Sequence, residues 1–371
     1  MTSVWAPAHI KQLSIADTMR IPAIDKLDRA GLCDQRIYWD MWPIQNMAGR
    51  IADCGGRELW MALSAIDRGD PALRHFEAKI RLLERAAGQW TDLGDVLPDQ
   101  IVPYEREWAG SAVKTGQTVH LFFTAAGVAT KPGGYQQALF QSRAELAADG
   151  LPVDWSAPEP CLTGASPQYQ LADAHEGEAG KIKAFRDPAF FRDPADSAEY
   201  LVFTASLANA SSDFNGAMGI AKREEQGWSL CPPLIHADGV NNELERAHLV
   251  HHQGRYYAFW ATQRGTFAPE LRDAPNGLYG MVADTLFGDY RPLNGSGLVM
   301  ANPEQDSFQT YSWFVSNELV VSSFVDFWGL KGGGVPGDPV EANARFGGSP
   351  APLLQLAIDG DRCELVGTVK T

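Results

Sequence analysis

At 371 residues and 45% hydrophobic content, the chain can hold one large all-β domain or two ordinary ones around a real core. Its formal charge of −15, with no Lys or Arg run longer than a pair, argues against a phosphate-tracking surface and so against nucleic acid as a partner. Nowhere do eighteen apolar residues follow one another, which argues against a helical membrane span. Met1 to Arg20 lacks the basic-then-apolar pattern of a cleavable signal peptide, so the expectation is a cytoplasmic protein or one exported by a signal-independent route. Cys33, Cys54, Cys161, Cys231 and Cys363 are scattered and odd in number, without C-x-x-C, so no disulfide framework or zinc site is indicated, and one bridge stays open.

Residues 1–30 read as an arm wrapped on the body, with a short helix from Ile10 to Met19 after the turn-like Ala6-Pro7-Ala8. From Tyr38 onward short strands repeat: Leu59 to Ile66, His75 to Ala86, Val119 to Ala125, Tyr200 to Leu207, Ala217 to Ala221, Leu249 to Thr262, Leu278 to Ala283, Phe308 to Phe327 and Leu353 to Ile358. Gln253-Gly254, Ser316-Asn317 and Asp359-Gly360 interrupt such runs at hairpin spacing. Helical periodicity is nearly absent. Gln136 to Ala148 reads as either a helix or an irregular strand pair.

Chemically unusual residues recur at Asp40, Trp108, Asp187, Glu245 and Tyr311, separated by 68, 79, 58 and 66 residues. That rhythm suits one functional element per four-stranded blade, and a propeller aims successive inner strands at one axis. The fold expectation is therefore all-β: a five-bladed β-propeller with an axial pocket, residues 1–371 forming one catalytic domain. A pair of β-sandwiches is the competing architecture.

In Tyr38-Trp39-Asp40-Met41-Trp42-Pro43 one acid sits between two indoles, which suits a pocket where sugar C–H faces stack on aromatic rings. The plainer reading is an exposed turn acid beside packed tryptophans. Phe185-Arg186-Asp187-Pro188 sets an ion pair in an apolar run, as suited to structure as to function. Arg192-Asp193-Pro194 reads as a surface turn. In Glu243-Leu244-Glu245-Arg246, strand alternation places both glutamates on one face, and like charges so close push one pKa upward, as a general acid requires. A solvated strand edge explains that segment equally well. His248, His251 and His252 lack metal-ligand spacing and read as packing or surface histidines. Carboxylates on three separate strands, each in an aromatic or Arg-bearing context, together fit retaining glycoside hydrolysis.

Trp39-Asp40-x-Trp42-Pro43-x-Gln45-Asn46, Glu107-Trp108-Ala109-Gly110, Phe185-Arg186-Asp187-Pro188, Glu243-x-Glu245-Arg246, Gly277-Leu278-Tyr279-Gly280, Leu293-Asn294-Gly295-Ser296-Gly297-Leu298-Val299 and Thr310-Tyr311-Ser312 resemble, in order, the motifs of glycoside hydrolase family 68. These are the levansucrases, inulosucrases and related β-fructofuranosidases. The resemblance implies a five-bladed propeller acting on sucrose and sugar acceptors, without a cofactor. It implies Asp40 as nucleophile, Asp187 as transition-state stabiliser and Glu245 as general acid/base, with Trp39, Trp108, Arg186, Glu243, Arg246 and Tyr311 lining the donor site.

Three positions depart from that family's pattern. Ala109 stands where relatives often carry a Ser that touches the nucleophile. Gln263, followed by Arg264, stands where they carry a His or Arg that influences polymer formation, so short products are expected over long levan. Asn242 stands where calcium-binding relatives carry Asp, so no metal is assigned. Rival readings keep the propeller with a fructan or arabinan substrate, or make it a non-catalytic carbohydrate-binding module.

Overall fold

Five strands run side by side through the centre of the molecule: Arg36–Asn46, Arg106–Thr115, Phe185–Arg192, Glu245–His252 and Thr310–Val315. This computed structural model describes residues 2–162, 166–174 and 183–369. Each central strand continues outward through antiparallel partners. Blade I adds Glu58–Ile66, Lys79–Ala86 and Gln89–Asp95. Blade II adds Thr118–Ala126, Gln137–Leu146 and Glu159–Leu162, and blade III adds Glu199–Ser206, Gly216–Glu224 and Gly227–His236. Blade IV adds Arg255–Thr262 and Gly277–Ala283, the latter paired with Leu298–Ala301; blade V adds Val320–Phe327, Leu354–Asp359 and Arg362–Thr368. The result is a five-bladed β-propeller.

The inner strands are buried on both faces, which explains why they read as continuous apolar runs without alternation. Ile44–Asn46 pairs in parallel with Ala112–Lys114 and joins blades I and II. The ring closes where Ile51 N donates to Glu318 Oε1 and Asn317 Nδ2 to the Ala48 carbonyl, tying blade I to blade V.

The amino-terminal segment runs across three blades. Ser3–Val4 pairs with Ile235–His236 of blade III, and Trp5 packs on Trp260, Phe267 and Tyr279 while its Nε1 donates to Ser296 O. Ile21 N donates to Ala301 O, and Ile24 N to Gln309 Oε1 at blade V. The helix expected from Ile10 to Met19 is instead one turn, Pro7–Ile10, then a 3-10 turn at Asp17–Met19. Ile10, Met19 and Ile21 must reach successive pockets along the blades, and an extended path does so where a continuous helix would not.

Gln136 to Ala148 resolves as a strand, Gln137–Leu146, because it pairs along its length with Thr118–Ala126. The strand expected from His75 to Ala86 begins only at Lys79, since Pro71–Phe76 forms a 3-10 turn capped by Asp70. Outer strands such as Gln89–Asp95 were not expected: there every second residue faces solvent, and Gln89, Thr91 and Asp95 among them are polar. All five cysteines are free thiols.

Candidate active site

Every inner strand breaks register with its neighbour near its starting end: between Trp39 and Trp42, Trp108 and Gly110, Arg186 and Ala189, Glu245 and His248, and Tyr311 and Phe314. These are β-bulges, which re-aim side chains. On four of the five strands the bulge holds a non-glycine residue in the left-handed region: Asp40 at φ 43°, Asp187 at 58°, Arg246 at 55° and Ser312 at 59°. Such backbone costs of order 1–3 kcal/mol per residue and persists where the surroundings over-determine it. The repetition of that conformation at one level of the channel marks a site. The fifth strand carries Ala109 at this level, whose carbonyl accepts from Thr124 Oγ1 at 3.0 Å.

Arg186 ties the acids together. Its Nη2 lies 3.0 Å from Glu243 Oε1 and 3.1 Å from Glu245 Oε1, and its Nε lies 3.6 Å from Asp187 Oδ2. Burial alone would favour the neutral guanidine, yet three carboxylates raise its pKa instead. Tyr311 donates its hydroxyl to Glu245 Oε2, so both oxygens of that carboxylate are held. Glu243 is buried, which pushes its pKa up, and Glu245 adds to the rise while Arg186 opposes it.

The two glutamates do not meet by strand alternation. Glu243 precedes the strand that begins at Glu245, and the left-handed Arg246 breaks the two-residue period. They share a partner because the bulge turns Glu245 toward Arg186 while Asn241 Oδ1 accepts from Glu243 N at 2.8 Å.

Asp187 accepts from Thr204 Oγ1 at 2.9 Å and from Arg246 N at 3.3 Å on the same oxygen, and its own N–H donates to Thr124 Oγ1 at 2.8 Å. Its carboxyl pKa is raised, chiefly by burial, against the pull of Arg186 and Arg246. Asp40 is pushed up to about 6 by burial. Arg246 pulls it down, Glu245 raises it further, and the Ser312 hydroxyl beside it opposes.

Arg246 is held differently from Arg186. Its guanidinium lies over Trp42 at 5.2 Å and Phe314 at 5.7 Å, Nη2 donates to Met41 O at 3.3 Å, and Nη1 is buried without a partner. His248 stacks on Phe314 at 4.5 Å and its Nε2 accepts from Val315 N. Burial lowers its pKa to about 3, so it packs as a neutral ring.

Trp39 is buried and Trp108 half-buried, with Trp108 Nε1 donating to His75 O at 3.2 Å. Arg74, from the same 3-10 turn as His75, lies between Trp39 and Phe346, so this turn bridges blades I, II and V at the mouth. Gln263 is exposed just after Arg255–Thr262, and its carbonyl accepts from Thr266 Oγ1 at 2.8 Å. Arg264 donates through Nε to Arg272 O and through its backbone N to Asn276 Oδ1, and its largely exposed guanidinium lies 3.8 Å from Asp273 Oδ1.

Asp193 is not a surface acid: it is buried, accepting from Ala195 N and from Tyr256 OH across the blade III–IV boundary. Thr204, Thr124 and Arg74 did not stand out in the sequence, and Ser312 entered only as the end of the Thr310-Tyr311-Ser312 motif. The threonines sit inside apolar strand runs, and only a buried hydroxyl in such a run could have signalled them.

The profile of glycoside hydrolase family 68, described as levansucrase/invertase, matches residues 1–218 and 209–369. A levansucrase of Pseudomonas syringae pv. actinidiae is 28% identical over 97% of this chain and 90% of its own length, and one of Zymomonas mobilis is 29% identical over 97% and 89%. Among solved structures, an inulosucrase from Halalkalicoccus jeotgali bound to kestose superposes with a TM-score of 0.90 at 35% identity, covering 100% of this chain and 96% of that one. A levansucrase from Gluconacetobacter diazotrophicus shares the fold at a TM-score of 0.81 and 24% identity, over 98% and 90%. With a family profile spanning almost the whole chain, this propeller is a glycoside hydrolase and fructosyltransferase of family 68.

Proposed function

We propose that the chain cleaves sucrose with retention, through a covalent fructosyl-enzyme, and passes fructose to water or to sugar acceptors as short products. The observation that supports this most is the convergence of Asp40, Asp187 and Glu245 at one level of the axis, with Arg186 in ion-pair contact with two of them. Levansucrases and a kestose-bound inulosucrase among the similar proteins point to the same donor.

In the first half-reaction Asp40, ionised, attacks the anomeric carbon of the fructosyl unit. The bond to glucose breaks, and the leaving oxygen takes its proton from Glu245. In the second half-reaction Glu245, now ionised, takes a proton from water or an acceptor hydroxyl, whose oxygen displaces Asp40. Asp187 accepts hydrogen bonds from fructosyl hydroxyls, with Thr204 and the Arg246 N–H fixing its carboxylate. Arg186 and Tyr311 hold Glu245 in place through both changes of protonation.

Short products are supported by the neutral, exposed Gln263, which brings no charge to steady a growing chain. The test is to incubate the purified protein with concentrated sucrose and follow glucose and free fructose together. Glucose in excess of fructose, with oligosaccharides on chromatography, is expected. Equal amounts would leave only the hydrolase, a long polymer would overturn the short-product reading, and no glucose would overturn the donor.

A further inference from the structure

Lys183 lies three residues before Arg186, outside the acid cluster. Its ammonium donates to Asp213 O at 2.6 Å, Asn215 Oδ1 at 2.7 Å and Asn242 Oδ1 at 2.9 Å. An ammonium has three donors, and all three are used. Every acceptor is a carbonyl oxygen. They come from two places: Asp213 and Asn215 precede Gly216–Glu224 of blade III, and Asn242 stands next to Glu243 at the entry to blade IV.

The cage is anchored in part without the lysine. Asn215 Nδ2 is bonded to Leu207 O at 2.8 Å and to Gln170 Oε1 at 3.1 Å, and Asn242 N donates to Thr266 O at 2.9 Å. The Lys183 carbonyl is itself held by Gln137 Nε2 of blade II at 3.0 Å. Carbonyl oxygens aimed at one point form a cage for a cation, and without one their lone pairs would face each other at a cost.

We propose that Lys183 is a positioning residue whose tethered ammonium fills a preformed cation cage, clamping Asn242 and thereby holding Glu243 and Glu245 in register with Arg186. Burial lowers the ammonium's pKa, and Asp213 and Glu243 oppose that fall through space. The consequence is that the cage accepts a free primary ammonium once the tether is cut. Lys183→Ala removes the equivalent of propylammonium, and Lys183→Met fills the stem volume but takes the ammonium away from the three oxygens.

This inference rests on the proposed sucrose reaction. Lys183→Met is expected to lower kcat about 10–100-fold with a sucrose KM within about threefold of wild type, because the acids shift relative to the reacting carbon. Lys183→Ala is expected to lose as much and to regain several-fold with propylammonium chloride, but not with tetramethylammonium chloride, which has no N–H. Wild-type kcat in Lys183→Met, or a lower Tm with kcat and KM untouched, overturns the positioning role. Absence of amine rescue overturns the cage. If the wild type releases no glucose, the donor assignment has failed separately. The cage is then read from Tm alone, which propylammonium raises in Lys183→Ala and leaves unchanged in wild type.

Discussion

Arg186 and Arg246 sit on neighbouring inner strands, both almost fully buried, yet one is held by charge and the other by rings. Arg186 touches three carboxylates, and its pKa is raised despite burial. Arg246 touches two aromatic faces and one carbonyl, keeps one nitrogen unbonded, and its pKa is lowered by burial. A guanidinium locked in ion pairs organises geometry. One that is under-compensated projects its field, and the field of Arg246 falls on Asp40 and Asp187.

The comparison assigns different work to each strand, and the acids test it first. Asp40→Ala and Glu245→Ala are each expected to lower sucrose turnover by about 10⁴-fold or more, as removal of a unit in a concerted set does. Circular dichroism and Tm should show the fold retained. Turnover within tenfold of wild type in either variant would remove that residue from the chemistry.

Next in size is Arg186→Met, which strands Glu243 and Glu245 against each other. Breaking such a buried cluster is expected to cost about 3–5 kcal/mol of stability as well as activity. Denaturant unfolding measures the first and glucose release the second. Arg246→Met should cost less stability, since a thioether can rest on Trp42 and Phe314 where the guanidinium lay. A larger stability loss at Arg246 than at Arg186 would invert the assignment. Smaller again is Thr204→Val, which removes one hydroxyl from Asp187 and should cost about 1–3 kcal/mol in transition-state stabilisation, read as kcat/KM.

Much of this division was legible in the letters, and the illegible part has a common cause. Arg186 and Asp187 stood out as charges inside an apolar run, Asp40 as an acid between two indoles, and Glu245 as one of two close glutamates. The five-blade rhythm followed from their spacing. The bulges did not show, because Asp, Arg and Ser at φ near 50° carry no glycine to announce them. Alternation therefore misplaced Glu243 relative to Glu245, although it found the pair. Asp193 was misread for a related reason: its own turn is local and visible, whereas Tyr256, which buries it, lies 63 residues away. Lys183 drew no notice because the oxygens around it come from two other loops.

The smallest effect is also the sharpest probe of Arg246, because it is read as a position on a pH axis. Asp40 has a pKa of about 6 in the folded chain against 3.8 for an unperturbed aspartate. It attacks only when ionised, so kcat/KM is expected to fall tenfold per pH unit below about 6. Arg246→Met removes the cation that opposes the burial effect, and that limb should move to higher pH. The same shift acts on stability. Between 3.8 and 6 the folded state binds the Asp40 proton more tightly than the unfolded state does, so stability falls as pH rises through that window. At pH 7 the ionised carboxylate carries the full penalty. Asp40→Asn is therefore expected to stabilise the fold at pH 7 by about 1–3 kcal/mol, and to have no such effect at pH 3.5, where both states hold the proton. Equal Tm gains at both pH values would mean that packing, not the buried charge, sets the difference, and an acid limb that Arg246→Met leaves in place would mean that the field of Arg246 does not reach the nucleophile.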